Sequence, residues 1–215
     1  MQPKLVIFDC DGVLVDSEPA TIAVLSQNIA RYGIHMSEAE CTQTFLGRTM
    51  SVIQTTLRDM GAELPDDWVA QIYAEIYAKL ADTVEEIPGI KLVLDDLVAK
   101  GIPFCVGSNG SREKMGITLG RTDLMRYFDG NIYSAHEIGV GKPDPTMYLT
   151  AALQFGVDPA DCLVIEDSPS GAEAAKRAGM PCYGFIRETP RERMEPWCHI
   201  VFDDMAKLPQ LIAER

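Results

Sequence analysis

The chain has 215 residues, 47% of them apolar, and a mean hydropathy of −0.01, which excludes wholesale disorder. Thirty-two acidic and nineteen basic residues give a formal net charge of −13. Such a surface disfavours nucleic acids and anionic membranes, because both are bound mainly through Lys and Arg. No stretch approaches the roughly 18–20 apolar residues needed to cross a bilayer. The run Leu5–Phe8 is too short for a secretion signal.

The cysteines indicate a reducing compartment. They are scattered at positions 10, 41, 105, 162, 182 and 198, without a CxxC pair or zinc-type spacing. We therefore expect reduced thiols in a cytoplasmic protein.

Short β-rich runs that end in polar residues alternate with segments of helical spacing. The runs cover 5–9, 103–108, 131–134, 162–167 and 182–186. Strands that alternate with helices imply βαβ units. The chain is therefore predicted to be an α/β protein whose core is a Rossmann-like, doubly wound parallel sheet.

One interval, from about residue 18 to 84, contains helical patterns and no convincing strand. Ser37 and Glu40 have the spacing of a capping box. Apolar helical faces are predicted for Ile22, Leu25 and Ile29, for Ile53, Leu57 and Met60, and for Val69, Ile72, Tyr73, Ile76 and Leu80. We expect a helical cap domain at 17–85, inserted after the first strand of a core made of 1–16 and 86–215. Two short connections would let it act as a mobile lid.

Polar residues follow four of the predicted strands, at the sheet edge where open parallel sheets bind ligands. In chain order these are Asp9 and Asp11, then Ser108 and Asn109, then Lys142, then Glu166 and Asp167. Each alone is more simply explained as a helix cap, a turn or a loop. Together and in this order, they predict a site for a divalent cation, a nucleophile and a phosphoryl group.

These segments resemble the four motifs of the haloacid dehalogenase superfamily. They read Asp-x-Asp-Gly-Val-Leu-x-Asp-Ser from 9, Ser-Asn-Gly from 108, Gly-Lys-Pro-Asp-Pro from 141 and Glu-Asp-Ser-x-x-Gly from 166. The likeness spans the whole chain. Within the superfamily, the chain is most similar to the branch that contains β-phosphoglucomutase and small sugar-phosphate phosphatases.

The resemblance implies a role for each motif residue. Asp9 would be the nucleophile that forms an aspartyl-phosphate, and Asp11 the general acid and base. Mg²⁺ would be held by the Asp9 and Asp167 carboxylates and the Asp11 carbonyl, with Glu166 as a further candidate. Ser108 and the Asn109 backbone amide would bind phosphoryl oxygens, while Lys142 would neutralise charge.

The implied function is Mg²⁺-dependent hydrolysis of a small phosphorylated metabolite, which we expect to be a sugar or sugar-acid phosphate. Two cap residues are predicted to contact it: Glu18, near the first connection, and Arg48, in the segment 45–49. A β-phosphoglucomutase-like mutase is the alternative function, although Thr21 stands where the resemblance to such mutases would place a histidine. A phospho-accepting receiver domain is a further alternative, disfavoured by the chain length. We expect a monomer, with a dimer as the alternative.

Overall fold

The computed structural model describes residues 2–45, 47–128 and 130–215. Its contacts divide the chain into two compact units, one made of Met1–Asp16 and Glu85–Arg215 and the other of Ser17–Val84.

Strands occur in the first unit only, among the residues that the structure describes. They are β1 (Leu5–Phe8), β2 (Val15–Asp16), β3 (Glu85–Glu86), β4 (Phe104–Ser108), β5 (Ile132–Ser134), β6 (Cys162–Glu166), β7 (Cys182–Phe185) and β8 (Ile200–Phe202). The helices of both units are α1 (Glu18–Ala30), α2 (Glu38–Phe45), α3 (Met50–Asp59), α4 (Trp68–Thr83), α5 (Ile90–Lys100), α6 (Arg112–Arg121), α7 (Met125–Phe128), α8 (Ala135–Ile138), α9 (Thr146–Phe155), α10 (Pro169–Arg177), α11 (Arg191–Met194) and α12 (Leu208–Ala213).

Six strands of the first unit form a parallel sheet in the order β5-β4-β1-β6-β7-β8. The chain builds one half from β1 outward to β5 and then returns to place β6 on the other side of β1. That reversal is a topological switch point, where open α/β sheets bind ligands beyond the strand ends. The predicted parallel α/β sheet is confirmed.

The centre of the sheet is apolar on both faces, as a parallel sheet covered by helices requires. All four residues of β1 are fully buried, and the buried residues of α9 and α10 belong to the same apolar cluster as one face of β1. Phe8, Phe104 and Phe128 stack edge to face in a second group. The helices packed against the sheet hold the ends of its strands in place.

Three strands were not anticipated from the sequence. β8 extends the sheet at the edge beside β7, and β2 pairs antiparallel with β3 in a separate two-stranded ribbon. β2 and β3 have two residues each, which is too short for an alternating pattern to register, and β8 gains its hydrogen bonds from β7. Within the described parts of the chain, no helix is long and apolar enough to span a bilayer.

The second unit contains α1 to α4. The capping box is confirmed, since the Ser37 amide donates to Glu40 Oε2 at 2.8 Å and the Glu40 amide to Ser37 Oγ at 3.3 Å. Met60 was expected on the apolar face of the third helix, but that helix ends at Asp59 and Met60 is half-exposed. Trp68, the first residue of α4, is fully buried.

Candidate active site

The Lys142 ammonium joins two strand ends of the first unit. Its Nζ donates to Asp9 Oδ1, just after β1, and to Glu166 Oε1, the last residue of β6, each at 2.6 Å. The lysine side chain is 3% exposed and also lies over the ring of Tyr148, 5.2 Å from its centroid. A buried ammonium needs such partners, because burying an unpaired charge is very costly.

Glu166 is fully buried and saturated with hydrogen bonds. Besides Lys142, the Tyr148 hydroxyl donates to Oε1 at 2.8 Å. The Oε2 atom accepts from the amides of Asp167 and Ser168 at 3.0 Å and from the Ser168 hydroxyl at 2.9 Å. A Cβ at Gly171 would overlap this carboxylate, so glycine is needed there. Both oxygens of Glu166 are therefore engaged, and Oε1 is shared between Lys142 and Tyr148.

The charge states follow from these contacts. Burial alone would raise the pKa of Glu166, but the Lys142 ammonium and the donated hydrogen bonds outweigh it and lower that pKa. Burial would lower the pKa of Lys142, yet the Asp9 and Glu166 carboxylates raise it above the ordinary value. Burial raises the pKa of Asp9 to about 7 against the opposing effect of Lys142.

Asp9, Glu166 and Asp167 bring carboxylate oxygens within 4.8 Å of one another. Burial raises the pKa of Asp167 well above its usual range, and the charges of Glu166 and Asp9 add to the rise. Gly12 supplies the room beside Asp167, since its φ is 79° and a Cβ there would overlap the Asp167 carboxylate. Crowded hard oxygens that repel one another fit a divalent cation such as Mg²⁺.

Asp11 lies two residues beyond Asp9 and is half-buried. The Lys114 ammonium, from the first turn of α6, donates to Asp11 Oδ1 at 2.7 Å. The sequence motifs did not single out this lysine.

The loop after β4 is tied to its neighbours on both sides. Buried Ser108 accepts a hydrogen bond from the Gly110 amide at 3.0 Å, which leaves its hydroxyl the donor role toward a ligand. The Asn109 side chain accepts from the Lys142 amide at 2.9 Å. The Ser134 hydroxyl, at the end of β5, donates to the Gly110 carbonyl at 2.7 Å.

The structure therefore brings all seven core residues predicted from the motifs to the C-terminal edge of one sheet. The sequence motifs did not predict three further residues that contact this site, Lys114, Tyr148 and Ser134. Each contacts it through a hydrogen bond to a residue distant in sequence. For Lys114 a signal did exist: it is a basic residue in the first turn of a helix, where acids are favoured.

The two remaining predicted residues belong to the second unit. Glu18 is half-buried and begins α1, and Arg48 is exposed between α2 and α3. Leu46, in the predicted loop 45–49, lies outside the described residues. Thr21 donates its hydroxyl to the Ser17 carbonyl at 2.9 Å within α1.

A parallel sheet with acidic groups, a buried lysine and a serine at the ends of adjacent strands defines an α/β enzyme with an aspartate-centred site. A family model described as haloacid dehalogenase-like hydrolase matches residues 3–179. The chain belongs to this family and is a hydrolase.

Full-length similarity extends to named proteins. The chain is 29% identical to 6-phosphogluconate phosphatase of Escherichia coli K12 over 210 residues, covering 97% of this chain and 94% of the other. A hydrolase of the same family from Deinococcus radiodurans, with bound phosphate and sodium, superposes with a TM-score of 0.83 at 30% identity over 99% and 96% of the two chains. A putative β-phosphoglucomutase from Thermotoga maritima gives 0.83 at 26% identity over 100% and 99%.

Proposed function

We propose that this hydrolase is a Mg²⁺-dependent phosphatase that cleaves a small phosphorylated metabolite through an aspartyl-phosphate on Asp9. The observation that carries the proposal is the Lys142 ammonium bound to both Asp9 and Glu166 at 2.6 Å. It fixes a buried carboxylate at the sheet edge and places positive charge where an anion must approach.

In the first step, an Asp9 carboxylate oxygen forms a bond to phosphorus while the bond from phosphorus to the leaving oxygen breaks. Asp11 passes its proton to that oxygen, so that the product departs as an alcohol. The Ser108 hydroxyl and the Asn109 amide donate to phosphoryl oxygens. Lys142 offsets the negative charge carried by Asp9 and the phosphoryl group.

In the second step, water attacks phosphorus and Asp11 takes a proton from it. The bond between phosphorus and the Asp9 oxygen breaks, which releases inorganic phosphate and restores the carboxylate. Asp11 ends the cycle protonated, as it began it.

Mg²⁺ would be held by the Asp9 and Asp167 carboxylates and the Asp11 carbonyl. When bound, it supplies charge neutralisation between the nucleophile and the phosphate. Glu166 stays a candidate ligand, although its two oxygens already accept five hydrogen bonds, one of them from Lys142.

A sugar or sugar-acid phosphate is the proposed substrate class. The E. coli relative is named for 6-phosphogluconate, a sugar-acid phosphate, and is similar over nearly its whole length. We propose that the helical unit selects the leaving group, with Glu18 and Arg48 as the contacts. We also propose that the protein acts in the cytoplasm as a monomer.

A mutase is the second candidate, favoured by the similarity to a putative β-phosphoglucomutase. Against it stands Thr21, whose hydroxyl donates to a backbone carbonyl and cannot serve as a general acid or base near neutral pH. The receiver-domain alternative is excluded by membership in a hydrolase family.

The test is a screen of phosphate release from a panel of phosphorylated metabolites with Mg²⁺, using Asp9→Asn as the matched control. We expect repeated turnover with sugar or sugar-acid phosphates in the wild type and a loss of at least about a thousandfold in the variant. A panel in which no compound is cleaved faster than by Asp9→Asn would overturn the proposal. Rapid interconversion of glucose 1- and 6-phosphate with a bisphosphate primer would establish the mutase instead.

A further inference from the structure

We infer that Lys114 is a positioning residue for Asp11, holding its carboxyl group in the orientation from which it passes a proton to the leaving oxygen. This inference rests on the proposed function, because it assigns a role within that phosphoryl transfer.

The contact is short and partly shielded from water. Lys114 Nζ lies 2.7 Å from Asp11 Oδ1, and the two side chains are 19% and 32% exposed. Ion pairs with that degree of shielding hold a geometry better than fully exposed pairs, which solvent and salt screen. The two residues are 103 positions apart, so the pairing is a product of the tertiary fold.

The local structure of α6 gives no reason for a lysine at this position. Ser111 caps the helix, and its Oγ accepts from the Lys114 amide at 3.1 Å, which makes Lys114 the third helical residue. The positive end of the helix dipole lies there, and a capping box would carry Glu or Gln. A cation is locally unfavourable there, and the contact with Asp11 offsets that cost.

The two oxygens of the Asp11 carboxyl group face different neighbours. Lys114 binds Oδ1. An ideal Cβ on Gly110 would lie 3.6 Å from Asp11 Oδ2, 3.6 Å from Lys114 Cδ and 3.3 Å from Ser108 Oγ. The Oδ2 atom therefore faces the loop that carries Ser108, the predicted phosphoryl-binding residue.

We assign the proton transfer to Oδ2. Before this step Asp11 carries its proton on Oδ2, and Lys114 donates to the unprotonated Oδ1. As the bond from phosphorus to the leaving oxygen breaks, the proton moves from Oδ2 to that oxygen, and the contact with Lys114 becomes an ion pair with the Asp11 carboxylate. The second lysine of the site, Lys142, is committed to Asp9 and Glu166. The two lysines thus serve different carboxyl groups.

The test compares leaving groups in Lys114→Met, using kcat/KM, which reports all steps through departure of the leaving group. An alkoxide needs a proton as it leaves, whereas p-nitrophenolate is stable enough to leave without one. General acids contribute about 10²–10⁴-fold to such steps. We expect kcat/KM to fall about 10- to 100-fold for the best alkyl phosphate of the panel and less than about threefold for p-nitrophenyl phosphate, with partial rescue in Lys114→Arg.

A double variant tests whether the effect passes through Asp11. Adding Lys114→Met to Asp11→Asn should lower activity by less than about twofold, because residues that act as one unit are not additive. Lys100→Met is the matched control. Lys100 forms a similar ion pair with Asp96 at 2.6 Å, but ends α5 just before β4 begins, at the opposite edge of the sheet. Lys100→Met should leave kcat/KM unchanged for both substrates.

Several results would overturn the inference while leaving the phosphatase assignment intact. They are equal losses for both substrates, no loss for either, or full additivity with Asp11→Asn. If Lys114→Met does not fold, as judged by thermal unfolding, Lys114→Gln carries the same comparison. A wild-type protein that releases no phosphate from any ester would instead remove the proposed function, and this inference with it.

Discussion

Glu166 Oε1 and Lys142 Nζ lie 2.6 Å apart in a pair that is almost wholly buried, with the two side chains 0% and 3% exposed. The pair joins the end of β6 to the loop before α9, and the same ammonium continues to Asp9. Removing one partner of a buried ion pair typically costs about 3–5 kcal/mol, because the other charge is left uncompensated. Stability and the geometry of the proposed nucleophile therefore depend on the same contact.

Metal removal should abolish activity. We expect EDTA to stop phosphate release, Mg²⁺ to restore it, and Ca²⁺ to bind without supporting turnover, because its longer and more numerous ligand contacts alter how the carboxylates are held. Calorimetric titration of Mg²⁺ should show at least about tenfold weaker binding to Asp167→Asn. Full activity of a metal-free protein would contradict the proposed magnesium site.

Gly171→Ala should inactivate the protein, since the added Cβ overlaps the Glu166 carboxylate and must displace it from Lys142. We expect destabilisation of several kcal/mol, on the order of that for a disrupted buried ion pair. Gly116→Ala in α6 is the matched control. Nothing lies within 4 Å of its Cβ position, and the change should stabilise by about 0.5–1 kcal/mol. Urea unfolding measures both, and similar effects of the two changes would refute the steric argument.

Asn28→Ala should destabilise the helical unit. The buried Asn28 side chain accepts from Trp68 Nε1 at 2.8 Å and donates to Glu75 at 3.1 Å, so the substitution leaves a buried indole N–H without its acceptor. We expect a loss of about 1–3 kcal/mol in urea unfolding. Gln27→Ala, at an exposed neighbour in the same helix, should change stability by less than about 0.5 kcal/mol. Equal values for the two would contradict this account of the Asn28 contacts.

Arg48→Ala tests the proposed selection of the leaving group. If the guanidinium binds a substrate hydroxyl or carboxylate, KM for the best sugar-type substrate should rise about tenfold or more, corresponding to a lost charged hydrogen bond. For p-nitrophenyl phosphate, whose ring offers neither group, KM should hardly change. Parallel increases for both substrates would show that Arg48 does not contact the leaving group.

Much of this fold could be predicted because its signals are local. Each run of buried β-rich residues that ends in Asp9, Ser108 or Asp167 is visible within five or six residues of sequence, and the Ser37 capping box spans only four. The motif residues follow strands, and parallel strands present their ends at one edge. Their convergence therefore followed from the sheet alone.

What only the tertiary structure decided are the pairings between distant segments and the short elements that packing stabilises. Lys114 meets Asp11 across 103 residues, Tyr148 meets Glu166 across 18, and Trp68 meets Asn28 across 40. Strand β8 has three residues and gains its hydrogen bonds from β7. Local periodicity carries no information about such partners, because a hydrogen bond or ion pair depends on where whole helices and strands pack, whereas propensity depends only on near neighbours.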